Sequence, residues 1–518
     1  MTSATVPTID PLKDTGFFGH PKGLFVCFTT EMWERFSFYG MKYLLLLYLT
    51  KYHLFTDLNG LEVLGSYAAL VYAMPVIGGL LADRYLGMRK AVVFGGLLLV
   101  VGHLGMAFEG QQARLTDNGI VRDDAALQVF YFSLALIVIG VGFLKPNIST
   151  IVGQLYAQND PRRDAGFTIF YMGINLGAFA ATLLCGYLGE TYGWGYGFGA
   201  AGIGMAFGLV TFLVGQKHLH GHAEPKDIKR LEERSFIGVS KELTIYICGL
   251  VGVVVAWQML QFHGVVGHSL NVLSVAVLLG LVWFVTVKCN PVERSRMIVL
   301  IVLTMSTVVF WALFEQSAAS MTLYADRVLN RELLGFEFKA SQFGALNALF
   351  IFMLAPVFAW LWTVLARRGI EPSTPVKFSL GIVQAGLGFG ALVWGASFPN
   401  EMGQVAAYWM VLAYLLHTCG ELCLSPVGLS AVTKLAVPSI VGVMMGAWFL
   451  ATAYSEFVAV QLSKLAAVET VDGGVADIGI ALASYTELFT TLFWLGLGAA
   501  AALFVLSPVL KKMMHGIH

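Results

Sequence analysis

Residues 31–42 read EMWERFSFYGMK, and four of those side chains, Glu31, Glu34, Arg35 and Lys42, are ionisable within an otherwise apolar run. At about 100° per residue, Glu31, Glu34, Arg35, Phe38 and Lys42 fall on one helix stripe roughly 100° wide, with Tyr39 at its edge. The opposite face is apolar and includes Leu44 to Leu47. Facing lipid, each charge would cost at least about 2–3 kcal/mol, so the stripe must face a protein interior or a watery cavity. A purely structural ion-pair cluster is the competing reading. Apolar packing would fill the same space at lower cost, which favours a functional stripe.

Three further apolar runs carry embedded charge. GVGFLKPN (140–147) holds Lys145 beside Pro146, FWALFEQ (310–316) holds Glu315, and CGELCLSP (419–426) holds Glu421 near Pro426. The acids Glu31, Glu34, Glu315 and Glu421 thus stand against the bases Arg35, Lys42 and Lys145. If every base pairs with an acid, one carboxylate is left over, and a buried unpaired carboxylate tends to take up a proton. That makes it a candidate proton-coupling site. The bases belong to the first half of the chain, and Glu315 and Glu421 to the second. A cavity between halves would have a basic and an acidic wall, matching a zwitterion with its carboxylate and amine at opposite ends. Glu456 would add an acid, with Lys464 as its expected partner.

The elements that must position these groups are membrane helices. Of 518 residues, 57% are hydrophobic and 12% charged, with a mean hydropathy of +0.73; a soluble domain is closer to about one quarter charged. Apolar runs predict fourteen spans, near 23–50, 61–82, 90–108, 127–150, 165–188, 195–215, 242–262, 269–287, 297–325, 341–366, 376–397, 404–432, 440–464 and 484–508. The expectation is an all-α polytopic membrane protein. The N-terminus lacks the basic-then-apolar order of a cleavable signal, so the first apolar run is expected to remain as the first span.

Lys and Arg cluster at alternate loops: Arg84, Arg89 and Lys90; Arg162 and Arg163; Lys226, Lys229, Arg230 and Arg234; Arg367 and Arg368; Lys511 and Lys512. The segment 466–482 carries Glu469, Asp472 and Asp477 and no base. This places both termini in the cytoplasm. The charged stretch HLHGHAEPKDIKRLEERS (218–235) separates six spans from two uncharged ones, after which six more follow. The expected divisions are a tail at 1–22, a six-helix bundle at 23–215, a linker at 216–241, an inserted hairpin at 242–287, a second bundle at 297–508 and a tail at 509–518. His263 and His268 flank the expected hairpin turn and read as solvated loop residues.

Several function classes are disfavoured. Zero net charge gives no electrostatic case for nucleic acid. No nucleophile–base pair or phosphate loop appears, so an enzyme is not expected. Cys419 and Cys423 share a helix face but read as packing residues, since no His or Cys cluster completes a metal site. No cofactor is expected. A channel is disfavoured because the embedded charges form no repeated ring of one residue type.

GGLLADRYLGMRK (78–90) resembles the loop between the second and third helices of the major facilitator superfamily, with Gly79, Asp83, Arg84, Gly87 and Arg89 at motif positions. EMWERFSFYG resembles the E-x-x-E-R-F-x-Y-Y-G signature of the proton-coupled oligopeptide transporter family. FYMGINLGA (170–178) resembles that family's second signature, and the runs around Lys145, Glu315 and Glu421 follow in the same order. The resemblance covers about residues 24–508 and implies two six-helix bundles plus the inserted hairpin.

That family's properties imply a symporter importing di- and tripeptides with protons across an inner membrane, working as a monomer in the lipid bilayer. Arg35, Tyr39 and Lys145 match positions that hold the peptide carboxylate, and Asn175, Asn347 and Glu421 those that hold its amine. Glu31, Glu34 and Glu315 match the proton-coupling acids. Lys42 stands where the family often has an arginine paired with the acid at the Glu315 position. Tyr72, Trp311 and Trp448 match aromatic pocket residues. Without the resemblance, Asn175 and Asn347 would read equally well as helix–helix hydrogen-bonders, and both tryptophans as core aromatics. Phe38 replaces the signature's first tyrosine and removes one hydroxyl. An alternative within transport is another small zwitterion or drug-like solute carried on the same fold.

Overall fold

The computed structural model describes residues 16–157, 160–225, 227–235, 238–471 and 473–517. Most of the expected N-terminal tail, with Lys226 and Asp472, lies outside them. Helices account for most of the described chain. The first, α1 (Lys22–Lys51), is 30 residues long and contains the charged stripe. Among the described residues thirteen helical segments besides α1 are long and apolar enough to cross a membrane, and with the 30-residue, charge-bearing α1 the count is close to the fourteen expected.

Two compact units emerge. The first comprises the chain up to Leu45 and Leu70–Phe262. It holds most of α1, the second part of α2 (Asp57–Leu81), α3 (Met88–Met106), α4 (Asp124–Gln154), α5 (Arg163–Tyr192), α6 (Trp194–Gly215), the short α7 (Ile228–Glu232) and α8 (Lys241–Gln261). Within it α3 packs along α4 and α6, α5 against α6, and α8 against α4. Small residues set these distances: a Cβ on Gly95 would stand 2.6 Å from the Gly140 oxygen, so α3 and α4 approach backbone to backbone, as membrane helices do without a hydrophobic drive between them.

The second unit comprises Leu46–Ala69 and the chain from His263 onward. It holds the adjoining ends of α1 and α2, then α9 (His263–Val287), α10 (Pro291–Phe314), α11 (Ser320–Arg327), α12 (Ala345–Arg367), α13 (Thr374–Gly395), α14 (Ala407–Leu435), α15 (Val441–Ser463) and α16 (Ile478–Met513). Here α13 packs along α14 and α16, α10 along α15 and α16, and α9 against α10 and α15.

Some boundaries differ from the sequence reading, each for a local reason. The expected span 297–325 is α10, a 3₁₀ turn at Glu315–Ala318, and α11. It breaks at Ala319, whose φ −115° and ψ −102° are not helical. α9 begins at His263, leaving Phe262 alone between the hairpin helices, so His263 and His268 are helical rather than loop residues. His263 Nδ1 lies 3.2 Å from Ser66 Oγ. The last helix starts at Ile478 because Asp477 caps it, accepting from Gly479 N and Ile480 N at 2.7 and 3.2 Å. The division between units falls inside the expected hairpin, one helix to each.

Proline inside a helix removes a bond from the carbonyl four residues earlier. At Pro146 that is Gly142, and the backbone of Gly78 on α2 closes on this carbonyl so tightly that a Cβ there would overlap it. Thr150 Oγ1 and Asn147 Nδ2 return bonds to the Pro146 and Phe143 carbonyls at 2.8 and 2.7 Å. These two side chains add bonds to the backbone on either side of Lys145 and Pro146.

Candidate functional site

In the first unit the α1 stripe is buried. Glu31, Arg35 and Lys42 are 3% exposed and Glu34 is fully enclosed. Arg35 turns its fork onto Glu34: Nη2 donates to Oε1 at 2.5 Å and Nε to Oε2, the bidentate geometry that suits a guanidinium. Glu31 is served differently. Its Oε1 lies 3.4 Å from Arg35 Nε, and among the described residues its Oε2 has no hydrogen-bond partner. One carboxylate of the pair is therefore matched and the other is not.

The remaining cations lie against aromatic faces. The Arg35 guanidinium carbon is 4.9 Å from the Phe38 centroid, and Lys42 Nζ is 5.8 Å from the same ring. Tyr72 on α2 has Lys145 Nζ at 4.6 Å and Lys42 Nζ at 5.8 Å from its centroid. A ring quadrupole stabilises a cation without neutralising it. Arg35, Lys42 and Lys145 thus lie on aromatic faces near a buried acid pair. Tyr39, half-buried, stacks on Tyr43. Asn175, 6% exposed, donates to its own helix at Tyr171 O, 3.1 Å away. The glycines flanking it seat α5 on α1: a Cβ on Gly173 would come within 2.8 Å of the Phe28 ring, and one on Gly177 would overlap Met32 O.

The second unit holds the remaining acids. Asn347 on α12 donates from Nδ2 to Glu421 Oε2 at 2.9 Å and to Thr418 Oγ1 at 3.1 Å, both on α14. Glu421 is 8% exposed. The turn before it is pinned by a glycine pair, since a Cβ on Gly420 would lie 2.6 Å from Gly381 O. Trp448 on α15 packs its ring on Gly428, where a Cβ would meet it at 2.5 Å. Trp311 on α10 sits edge-on to Phe310 and Phe314 at 5.3 and 5.2 Å. Glu315 opens the 3₁₀ turn where α10 ends. Lys464 departs from expectation: its Nζ bonds Glu62 at 2.9 Å rather than Glu456.

The loop motif lies in the first unit. A Cβ on Gly79 would touch Pro146 at 3.3 Å. Asp83 and Arg84 are exposed on a π-helical turn, Ala82–Leu86. Gly87 adopts φ +76° against Pro225. Arg89 donates from Nη2 to Glu224 Oε2 at 3.1 Å, from Nη1 to Gln216 Oε1 at 3.1 Å and from Nε to Glu224 Oε1, while its amide bonds Ala223 O at 2.9 Å. The linker thereby straps the turn between α2 and α3.

Two buried polar groups in the second unit were not anticipated. Gln316, fully enclosed, donates to Ala312 O and Ala459 O at 3.2 and 2.9 Å and accepts from Ser320 and Ser463 at 2.5 and 2.7 Å. It re-satisfies the backbone where α10 breaks. Its place beside Glu315 was the available signal. Arg327 donates through both terminal nitrogens to Asp57 at 2.6 Å each, with side chains 2% and 1% exposed. Asp57 precedes its apolar run and Arg327 follows its own, so each reads in sequence as a solvated end. Among the described residues no three His, Cys, Asp or Glu side chains gather as a metal-ligand set.

Along most of its length the chain is similar to known proteins. The model of the POT family matches residues 89–481. The chain is 37% identical to the peptide transporter YePEPT of Yersinia enterocolitica, over 86% of this chain and 87% of that one. It is 36% identical to a di-/tripeptide transporter of Lactococcus lactis subsp. cremoris, over 87% and 90%. A crystal structure of a POT peptide transporter with one glutamate replaced by glutamine, in complex with alafosfalin, superposes with a TM-score of 0.82. Identity there is 37%, covering 98% of this chain and 100% of the other.

Proposed function

This chain belongs to the POT family, and on that premise we propose that it is a proton-coupled symporter importing di- and tripeptides by alternating access. It is a transporter and not an enzyme, as its relatives are. In this reading it lies in the cell's inner membrane with both termini in the cytoplasm, works as a monomer and needs no cofactor, the coupling ion being the proton.

Arg35, Tyr39 and Lys145 receive the peptide carboxylate, with Lys42 adding positive charge. Glu421, assisted by Asn347 and Asn175, receives its amine. Tyr72, Trp311 and Trp448 meet its side chains loosely, through apolar faces that every peptide can use. Glu31, Glu34 and Glu315 carry the proton coupling. The observation that carries this reading is the unequal treatment of the two neighbouring acids. Glu34 is bound bidentately by Arg35, whereas Glu31 is enclosed with an unmade acceptor. A buried acceptor without a donor is costly, and a proton on Glu31 supplies the missing hydrogen.

The test is uptake of labelled dialanine into proteoliposomes under an inward proton gradient and inside-negative potential. Accumulation above equilibrium, abolished by a protonophore and competed by trialanine, is the expected result. Verified, correctly oriented protein that takes up no dialanine, but accumulates another zwitterion or a drug-like solute, would overturn the peptide assignment.

A further inference from the structure

One end of the second unit holds a half-open cavity of about 590 Å³ that peptide transport leaves unused. It lies where α12 and α14 end, α13 begins and α16 stops, so it sits at the boundary between apolar span and polar loop. Three lysines line it, Lys377, Lys434 and Lys511, against one carboxylate, Glu371. Lys377 is 7% exposed, its Nζ bonds Glu371 and lies 4.7 Å over the Trp362 ring. Lys434 and Lys511 each stand in the last turn of their helix. The positive end of the 22-residue α13 opens onto the same space, adding a field of the same sign. Between the polar groups the wall is apolar, formed by residues such as Leu435 and Met514. Arg367, Arg368 and Lys512 crowd the neighbouring loop and helix ends.

This combination selects a ligand that is anionic at one end and apolar at the other, at headgroup depth. Peptide binding does not need it, because the transport residues lie elsewhere on these helices. Basic pockets between membrane helices at the positive-rich side recognise phosphate-bearing headgroups. We propose that this cavity binds the phosphodiester of an anionic phospholipid from the adjacent leaflet. Lys434 and Lys511 contact the phosphate, Lys377 adds charge from below, and Glu371 moderates the affinity.

The test uses the full-length protein, purified and delipidated, and then offered phosphatidylglycerol or phosphatidylcholine in native mass spectrometry. Wild type should retain phosphatidylglycerol preferentially. Lys434→Gln with Lys511→Gln should lower that retention by at least about tenfold, each lysine near an anionic surface contributing roughly fivefold, with phosphatidylcholine unchanged. Glu371→Gln should act in the opposite direction and raise phosphatidylglycerol retention, which loss of structure would not do. Inorganic phosphate distinguishes the source of the anion. If it alone raises the thermal midpoint of wild type but not of the double-lysine variant, and phosphatidylglycerol shows no preference, the cavity is a soluble-phosphate site and the lipid assignment fails. Equal phosphatidylglycerol retention by all three proteins, with no phosphate effect, overturns the site altogether.

Discussion

The buried pair between Asp57 and Arg327 makes the sharpest energetic claim in the molecule. Asp57 opens α2, and Arg327 closes α11. Both guanidinium nitrogens sit 2.6 Å from the carboxylate, Tyr485 Oη accepts a further bond at 3.0 Å, and Val468 N donates to Asp57 at 3.1 Å. Deleting one partner of such a pair leaves an uncompensated buried charge and costs about 3–5 kcal/mol. Asp57→Ala should therefore loosen the start of α2 by that amount, with roughly 1 kcal/mol more for the orphaned Val468 amide. In hydrogen exchange, 3–5 kcal/mol is two to almost four powers of ten in the opening equilibrium, at about 1.4 kcal/mol per power. Amides of residues 58–69 should exchange faster by that factor. Replacing both partners together, Asp57→Leu with Arg327→Met, should recover most of the protection, since no unpaired charge remains. Lys51 offers the control: its bond to Asp326 is 2.7 Å long, but its side chain is 38% exposed, so Lys51→Ala should cost less than about 1 kcal/mol. If Asp57→Ala and Lys51→Ala raise exchange equally, and by less than tenfold, the argument from burial is wrong.

Other consequences are independent of that pair. Glu421→Gln keeps the shape that Asn347 binds but loses the charge, so KM for dialanine should rise about ten- to hundredfold, the range of a charge-assisted bond. Uptake of N-acetyl-dialanine, which has no amine, should be affected less in the same liposomes. Gly420→Ala puts a Cβ 2.6 Å from Gly381 O and 3.2 Å from the Phe310 ring, and should lower stability by about 1–3 kcal/mol. Gly498→Ala, where a Cβ meets nothing within 4 Å, should not lower the thermal midpoint. Arg162 beside Asp160 holds that carboxyl below the usual carboxylate range, chiefly through its side-chain hydrogen bonds. A depressed carboxylate stabilises above its unfolded pKa, and the effect is lost as pH falls through the folded one. Asp160→Asn should lower the thermal midpoint at neutral and alkaline pH and flatten its fall on the acid side, so that the two proteins converge at low pH.

Fourteen spans, their order and the embedded charges were legible because period and length are properties of the chain itself. The α1 stripe is the clearest case, since 3.6-residue spacing alone puts Glu31, Arg35 and Lys42 on one face. What was not legible depended on partners distant in sequence. The break at Ala319 is tolerated because Gln316 reaches α15, and no window of local sequence contains Ala459 or Ser463. Lys464 was matched to Glu456 by proximity along the chain, yet it meets Glu62, some four hundred residues away. Asp57 and Arg327 each lie beside an apolar run and read as solvated, until the fold encloses both. His263 was misplaced for a different reason: its helix starts in residues too polar for a hydropathy window, and Ser66 supplies the partner that makes this tolerable.

The charge inventory of the first unit leads to the coupling itself. Arg35, Lys42 and Lys145 bring three positive charges to a region holding Glu31 and Glu34. A proton on Glu31 raises the net positive charge around these cations by one. In the reading proposed above, a peptide carboxylate bound to these cations is attracted more strongly after that protonation, so proton and carboxylate favour each other's binding. By linkage the effect is reciprocal, and couplings of this kind are worth about 1–3 kcal/mol, or 5–150-fold in affinity. Proton affinity and peptide affinity then need no separate communicating element, because the same cations serve both. Glu31→Gln imitates the protonated state permanently. Dialanine affinity in that variant should match the tight, low-pH value of wild type and stay flat with pH, while the proton gradient ceases to drive accumulation. A pH-dependent affinity surviving in Glu31→Gln would place the coupling proton on another acid, with Glu34 and Glu315 next in line.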